Sequence, residues 1–164
     1  MTERRTFEIT LISATDLDSA GLRCCPSLFP TRAYAWVSVS GKEKKTPVDR
    51  HGQSNPAWNF SMAFSLRESA VRSYNAMLIV KIFGRRRFVG FRDRYIGEVH
   101  TPVKELYDYA ELTGGNAMLN LPLTKGCAAA ARGCLRFAYR FSDTVMLDKS
   151  PRRRPESFVG WTHC

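Results

Sequence analysis

The sequence predicts an all-β fold, an eight-stranded antiparallel β-sandwich with one short helix. Three observations predict it. Trp58, Phe60, Met62, Phe64 and Leu66 alternate with Ala57, Asn59, Ser61, Ala63 and Ser65, a period of two that sends successive side chains to opposite faces of a sheet. Similar short runs recur along the chain, each bounded by its own turn signal. The single helical signal, behind Pro102, is short.

In order, Phe7, Ile9 and Leu11 alternate with Thr6, Glu8 and Thr10 and predict a first strand over 6–13. Residues 14–32 form a long loop, a length that compact domains reserve for function or disorder. A second strand, 33–40, carries Ala35, Val37 and Val39 on one face and Tyr34, Trp36 and Ser38 on the other. Gly41 turns the chain into Lys42-Glu43-Lys44-Lys45, the third strand, which Pro47 places at a sheet edge because proline lacks a backbone donor. His51 to Pro56 is a dense turn signal leading into the fourth strand at Trp58. After a polar connector, 67–74, the nearly continuous apolar run 76–83 predicts a fifth strand buried on both faces. Residues 84–92 are a basic loop and 93–99 a sixth strand. Pro102 opens a helix over 103–108, which Gly114-Gly115 ends. Strands around 118–121 and 135–141 complete the set. The domain is expected to span 1–141, and 142–164 to form a basic, proline-containing, disordered tail.

With 164 residues the chain has room for one domain with a sizeable core. No apolar run reaches the length of a membrane span, and the N-terminus reads neither as a signal peptide nor as a myristoylation site. The five cysteines are expected to be reduced thiols of a cytosolic protein. The net charge of +10 implies a polyanionic partner: an anionic membrane face, nucleic acid or an acidic protein.

Asn55-Pro56-Ala57-Trp58-Asn59 at the foot of the fourth strand resembles the Asn-Pro-x-Trp-Asn hallmark of C2 domains. Thr46-Pro47-Val48-Asp49-Arg50 ahead of it, then Ile96-Gly97-Glu98-Val99, Pro102-Val103-Lys104-Glu105-Leu106 and Gly133-Cys134-Leu135-Arg136-Phe137-Ala138-Tyr139 resemble, in the same order, the small single-C2 proteins of plants of the cold-regulated, soybean-cold type. The resemblance covers roughly residues 6–141. It implies a C2-like sandwich, a cytoplasmic protein peripheral to the plasma membrane or an endomembrane, no enzymatic activity, and a role in stress or defence signalling.

If consecutive strands run antiparallel, alternate connections share one end. The loops 14–32, 49–56 and 84–92 then gather Arg32, Arg50, Arg85, Arg86, Arg87 and Arg92 at one pole with Phe88 and Phe91. Arginine pairs with phosphate and an aromatic ring sits at the headgroup boundary, so this pole is the expected site for an anionic phospholipid membrane. The alternative is a merely solubilising face whose aromatics fold onto the core. Lys42, Lys44 and Lys45 resemble the lysine-rich concave face by which some C2 domains take phosphoinositides; a lysine-defended edge strand explains them about as well.

Ca²⁺ needs about six to eight hard oxygen ligands. Of the positions where the family carries ligand aspartates, Asp16, Asp18 and Asp93 remain, while Arg32 and Arg85-Arg86-Arg87 stand where others would be. Guanidinium removes a ligand and repels the cation, so no cofactor is expected and docking is expected to be largely independent of Ca²⁺. Cys24 and Cys25 are candidates for S-acylation, with ordinary thiols as the alternative. The cysteines form no paired C-x-x-C sites, His51, His100 and His163 are scattered, and no catalytic constellation appears. Lys149 and Arg152-Arg153-Arg154 would suit nucleic acid, but no nucleic-acid-binding motif accompanies them. The second function class is a protein-interaction scaffold using the sandwich face or the tail.

Overall fold

The computed structural model describes residues 2–17, 32–52, 54–85, 92–125 and 129–147. Their strands are β1 (Thr2–Thr15), β2 (Ala33–Val39), β3 (Lys42–Lys45), β4 (Ala57–Arg67), β5 (Met77–Gly84), β6 (Arg94–Pro102), β7 (Asn116–Lys125), β8 (Ala129–Phe141) and β9 (Val145–Leu147). The helices are α1 (Glu68–Val71) and α2 (Val103–Leu112). The strands order β3-β2-β5-β6-β7-β8-β1-β4, every pairing antiparallel, and β9 adds to the start of β1. One residue pair, Glu98 with Thr124, joins β6 to β7. The sheet therefore folds there into two halves, with β3 and β4 as its free ends.

The eight-stranded antiparallel sandwich read from the sequence is present, and the alternation behind it is visible in burial. Phe7, Ile9 and Leu11 of β1, Val37 and Val39 of β2, and Leu135 and Phe137 of β8 are fully buried, and their neighbours in sequence point out. β5 departs from its expectation. Leu78, Val80 and Ile82 are fully buried, but Met77, Ile79, Lys81 and Phe83 are only half-buried, so one face is packed and the other open. The apolar run reflects aromatic packing on that outer face, where Phe83 stacks on Tyr34 at 5.6 Å and meets Tyr95 edge-on at 5.9 Å.

Local chemistry sets the connections. Ser40 and Gly41 both adopt positive φ, 49° and 78°, between the paired residues Val39 and Lys42, the two-residue hairpin turn that matches strand twist. Asn59 also has positive φ, 46°, where a register shift opposite Leu11 and Ser13 bulges β4; asparagine tolerates that conformation better than most residues. Pro102 caps α2, which buries Val103, Leu106, Tyr107 and Ala110, one stripe at helical spacing. Tyr139 Oη donates to the carbonyl of Leu106 at 2.8 Å and holds α2 on β8.

Two elements were not expected. α1 lies inside the connector 67–74, and β9 lies beyond residue 141. β9 itself pairs with Thr2–Arg4, and Arg5, 9 % exposed, ties α1 and the link 142–144 to β1. Its Nε and Nη2 donate to Glu68 Oε2 and Oε1 at 2.8 and 3.0 Å, its Nη1 to the carbonyl of Ser142 at 2.9 Å, and its guanidinium lies 5.0 Å over the Tyr107 ring. The fold thus continues through Leu147. Residues 148–164, with the expected tail, lie outside the described residues.

Candidate functional site

Antiparallel strand order brings the ends of β1, β3 and β5 to one pole, and hydrogen bonds lace that pole together. Ala14 N–H donates to Pro56 O and Leu17 N–H to Ser54 O, each at 3.0 Å, while Asp16 N–H reaches Asn55 Oδ1 at 3.1 Å. The Ala33 carbonyl accepts from Asp49 N–H at 2.9 Å and from Trp58 Nε1 at 3.0 Å. Arg85 N–H donates to Arg32 O at 2.7 Å, and Tyr34 Oη donates to Asp93 Oδ2.

Asp49 organises the turn. Its carboxylate accepts backbone N–H from His51 at 3.0 Å, Gly52 at 3.1 Å and Ala57 at 2.9 Å. Partial burial pushes this carboxyl up, but the three N–H donors outweigh it and hold it below the usual carboxylate range. A Cβ on Gly52 would lie 2.3 Å from Asp49 Oδ2 and 2.4 Å from Asn55 O, so the loop wraps this tightly only around glycine. The Thr46-to-Trp58 stretch is therefore a brace: Thr46 Oγ1 accepts from Ala35 N–H, Asp49 gathers the turn, Asn55 and Pro56 hold β1, and Trp58 holds β2. Asp49 and Tyr34 were not among the residues predicted to matter. Their signal was present, an aspartate just ahead of a Gly-containing turn, but the donors it gathers are fixed only in three dimensions.

The braced pole carries Arg32, half-buried, and Arg50, Arg85 and Arg92, exposed. Arg86, Arg87, Phe88 and Phe91, with Asp18, Cys24 and Cys25, lie outside the described residues. Two of the acids here are already engaged. Asp49 is filled by amides, and Asp93 takes the Tyr34 hydroxyl, which burial and then Asp93 push up to about 12, while the Arg85 charge acts in the opposite sense. That hydroxyl remains a donor throughout the physiological range. Asp16 is exposed with φ 54°. Among the described residues no group of three His, Cys, Asp or Glu side chains converges, and the Arg85 guanidinium bears on the Tyr34–Asp93 pair. The described residues of the pole do not fit a Ca²⁺ ion.

The three lysines of β3 do not form one patch. Lys45 pairs with Trp36 on the outer face of the sheet, where Lys81 Nζ lies 5.2 Å over the Trp36 ring. Lys42 and Lys44 pair with the buried residues Val39 and Val37 and so start from the core-facing side of the strand. Their ammonium groups reach the carbonyls of Ser65 and Ala63 on β4. Register parity separates them from Lys45. No helix among the described residues is long and apolar enough to cross a membrane.

Comparison with known proteins agrees with this architecture. The family model described as "C2 domain" matches residues 5–117. The chain is 30% identical over 148 residues to Protein SRC2 of Glycine max, covering 87% of this chain and 48% of that protein. It is 33% identical over 148 residues to the Protein SRC2 homolog of Arabidopsis thaliana, covering 86% and 42%. The chain thus spans less than half the length of these relatives. Among solved structures, a C2 domain of plant Extended Synaptotagmin 1 superposes with a TM-score of 0.64 at 18% identity, covering 86% of this chain and 96% of that one. At that identity the likeness speaks for the fold.

Proposed function

The chain belongs to the C2 domain family, and from that premise we propose that it is a non-enzymatic module docking on anionic phospholipid membranes through its arginine-bearing pole, largely without Ca²⁺. One observation carries the proposal. The braced pole carries Arg32, Arg50, Arg85 and Arg92, while the carboxylates of Asp49 and Asp93 are engaged by backbone amides and by Tyr34. Each basic side chain near an anionic leaflet contributes about 1 kcal/mol, so a cluster gives reversible docking. Arg86 and Arg87 extend the same loop in sequence, and Phe88 and Phe91 supply rings for shallow insertion at the headgroup boundary. The arginines then play, permanently, the electrostatic part that a bound cation would play. The setting is the cytoplasmic face of the plasma membrane or an endomembrane. A part in stress or defence signalling follows from the likeness to the soybean-cold type, and recruitment of the tagged chain to membranes on chilling or elicitor treatment tests it.

Vesicle co-sedimentation tests the docking itself. The expected result is binding to anionic but not neutral vesicles, unchanged by chelator, and lost in the combined variant Arg85→Ala, Arg86→Ala, Arg87→Ala. Binding that requires Ca²⁺, or that survives the triple variant undiminished, overturns the reading.

A further inference from the structure

α2 packs with one face and leaves the other uncovered. Val103, Leu106, Tyr107 and Ala110 are buried, and opposite them at helical spacing stand Glu105, Asp108, Tyr109 and Leu112, all exposed. Leu112 is 85 % exposed and Tyr109 43 %; Tyr74, 62 % exposed, has Lys104 of the same helix 5.5 Å over its ring. These are three of the four large hydrophobic side chains left exposed among the described residues, so the apolar surface that the fold leaves open gathers at α2. The same face is acidic, in a chain of net charge +10. Asp108 is paired with Lys104 at 2.7 Å, but Glu105 and Glu111 make no ion pair among the described residues. The last turn of α2 holds Glu111 and no basic residue, so a negative side chain stands at the negative end of the helix dipole. The face therefore favours an occupant that is both cationic and apolar.

The chain itself leaves the described fold close to this face. Tyr107 of α2 meets Phe141, the last residue of β8, edge-on at 5.3 Å. Arg5 lies over Tyr107, donates to the carbonyl of Ser142, and feels the charge of Glu111. β9 then runs along Thr2–Arg4 to Leu147. Beyond it the sequence continues with Lys149, Arg152-Arg153-Arg154, Phe158-Val159 and Trp161, a basic run followed by large apolar side chains. Along β1, Arg5 stands about 10 Å from Thr2, the partner of Leu147. Arg152 to Arg154 are five to seven residues past Leu147, roughly 17–25 Å of extended chain, so the basic run reaches back to α2 with slack.

We propose that the exposed face of α2 is the docking site of the chain's own segment 148–164. Arg152, Arg153 and Arg154 take Glu105, Asp108 and Glu111, and Phe158 and Trp161 cover Tyr109 and Leu112. Each exposed ion pair contributes little by itself. A segment tethered within reach has an effective concentration on the order of mM, so a contact too weak to hold a separate protein is populated within one chain. The tether and the point where it leaves the fold select this segment over a second copy or another basic partner. β6 runs from the arginine loop at one end to α2 at the other, so the contact leaves the arginine pole free. The inference stands whether or not that pole docks on membranes.

Nuclear magnetic resonance of the full chain tests it, read at the methyl signals of Leu112, which an aromatic ring lying over them displaces. Four full-length variants are compared with the parent: Phe158→Ala with Trp161→Ala; Arg152→Glu, Arg153→Glu, Arg154→Glu; Glu105→Arg with Glu111→Arg; and the two charge reversals combined. Glu105 and Glu111 are exposed, so their reversal leaves the buried stripe of α2 intact. The expected result is a displacement in the parent that is lost in the aromatic variant, cut by about half or more in each charge reversal, and regained when the reversals are combined. Raising the salt to about 0.5 M is expected to diminish it. Leu112 signals that are the same in the parent and the aromatic variant, a displacement that either charge reversal leaves undiminished, or one that fails to return in the combined variant overturns the proposal. So does a displacement that grows with protein concentration, which would put the segment on a second copy.

Discussion

Asp49 is a carboxylate whose value lies in the backbone. It turns three N–H groups of a polar loop toward one point and is itself held ionised by them. Asp49→Ala is expected to cost about 1–3 kcal/mol, since partly covered amides lose their acceptor, and Asp49→Asn less, since it keeps one oxygen. Thermal unfolding of the three proteins checks the order. Because folding lowers this carboxyl from its ordinary value of 3.8, its contribution is complete above that value and disappears as pH falls through the lower folded-state value. The melting temperature of the parent should therefore drop in acid more steeply than that of Asp49→Ala. The Asn55-Pro56 and Trp58 signals were legible in sequence as turn and strand. That they brace two other strands was not, because Trp58 Nε1 meets Ala33 across 25 positions of chain.

At the scale of elements, Arg5 and Glu68 decide how the pole opposite the arginines holds together. The pair is buried and bidentate, joins β1 to α1, and shares Tyr107 of α2 with Arg72. Arg5→Met alone is expected to destabilise by about 3 kcal/mol, because it strands the Glu68 carboxylate; Arg5→Met with Glu68→Leu should recover much of that loss. Chemical denaturation of the single and double variants gives the coupling. The Arg5 guanidinium, with Arg72, holds Glu68 below the usual carboxylate range against the opposing effect of burial, so this contribution too is lost in acid. The long strands were readable because each spans several periods of alternation. α1 has four residues and β9 three, less than either period needs; tertiary bonds hold both, α1 through Glu68 to Arg5 and β9 through its ladder to Thr2–Arg4. α2 runs four residues past its expected end, up to the glycine pair, on the strength of its buried stripe.

For the whole molecule, strand parity alone told which loops share a pole, and the hydrogen bonds between 14–17, 32–34, 49–58 and 85 bear that out. Parity sorts ends but not edges, so the reach of Lys42 and Lys44 from β3 to β4 was invisible until the sheet order was known. The same layout puts Leu147, where the described chain ends, at the opposite end of β1 from the loops that gather the arginines. A chain ending after Leu147 is expected to keep most of its affinity for anionic vesicles, losing less than the triple arginine variant, whereas one ending after Phe141 should also lose thermal stability; sedimentation and calorimetry compare them. Thr2 pairs directly with Leu147, so both ends of the described chain leave side by side, with the length of β1, roughly 40 Å at about 3.3 Å per residue, between them and the arginines. A dye on either end would ride above a bilayer at a height set by the fold, and would serve as an altimeter distinguishing a domain standing on its loops from one lying on its side.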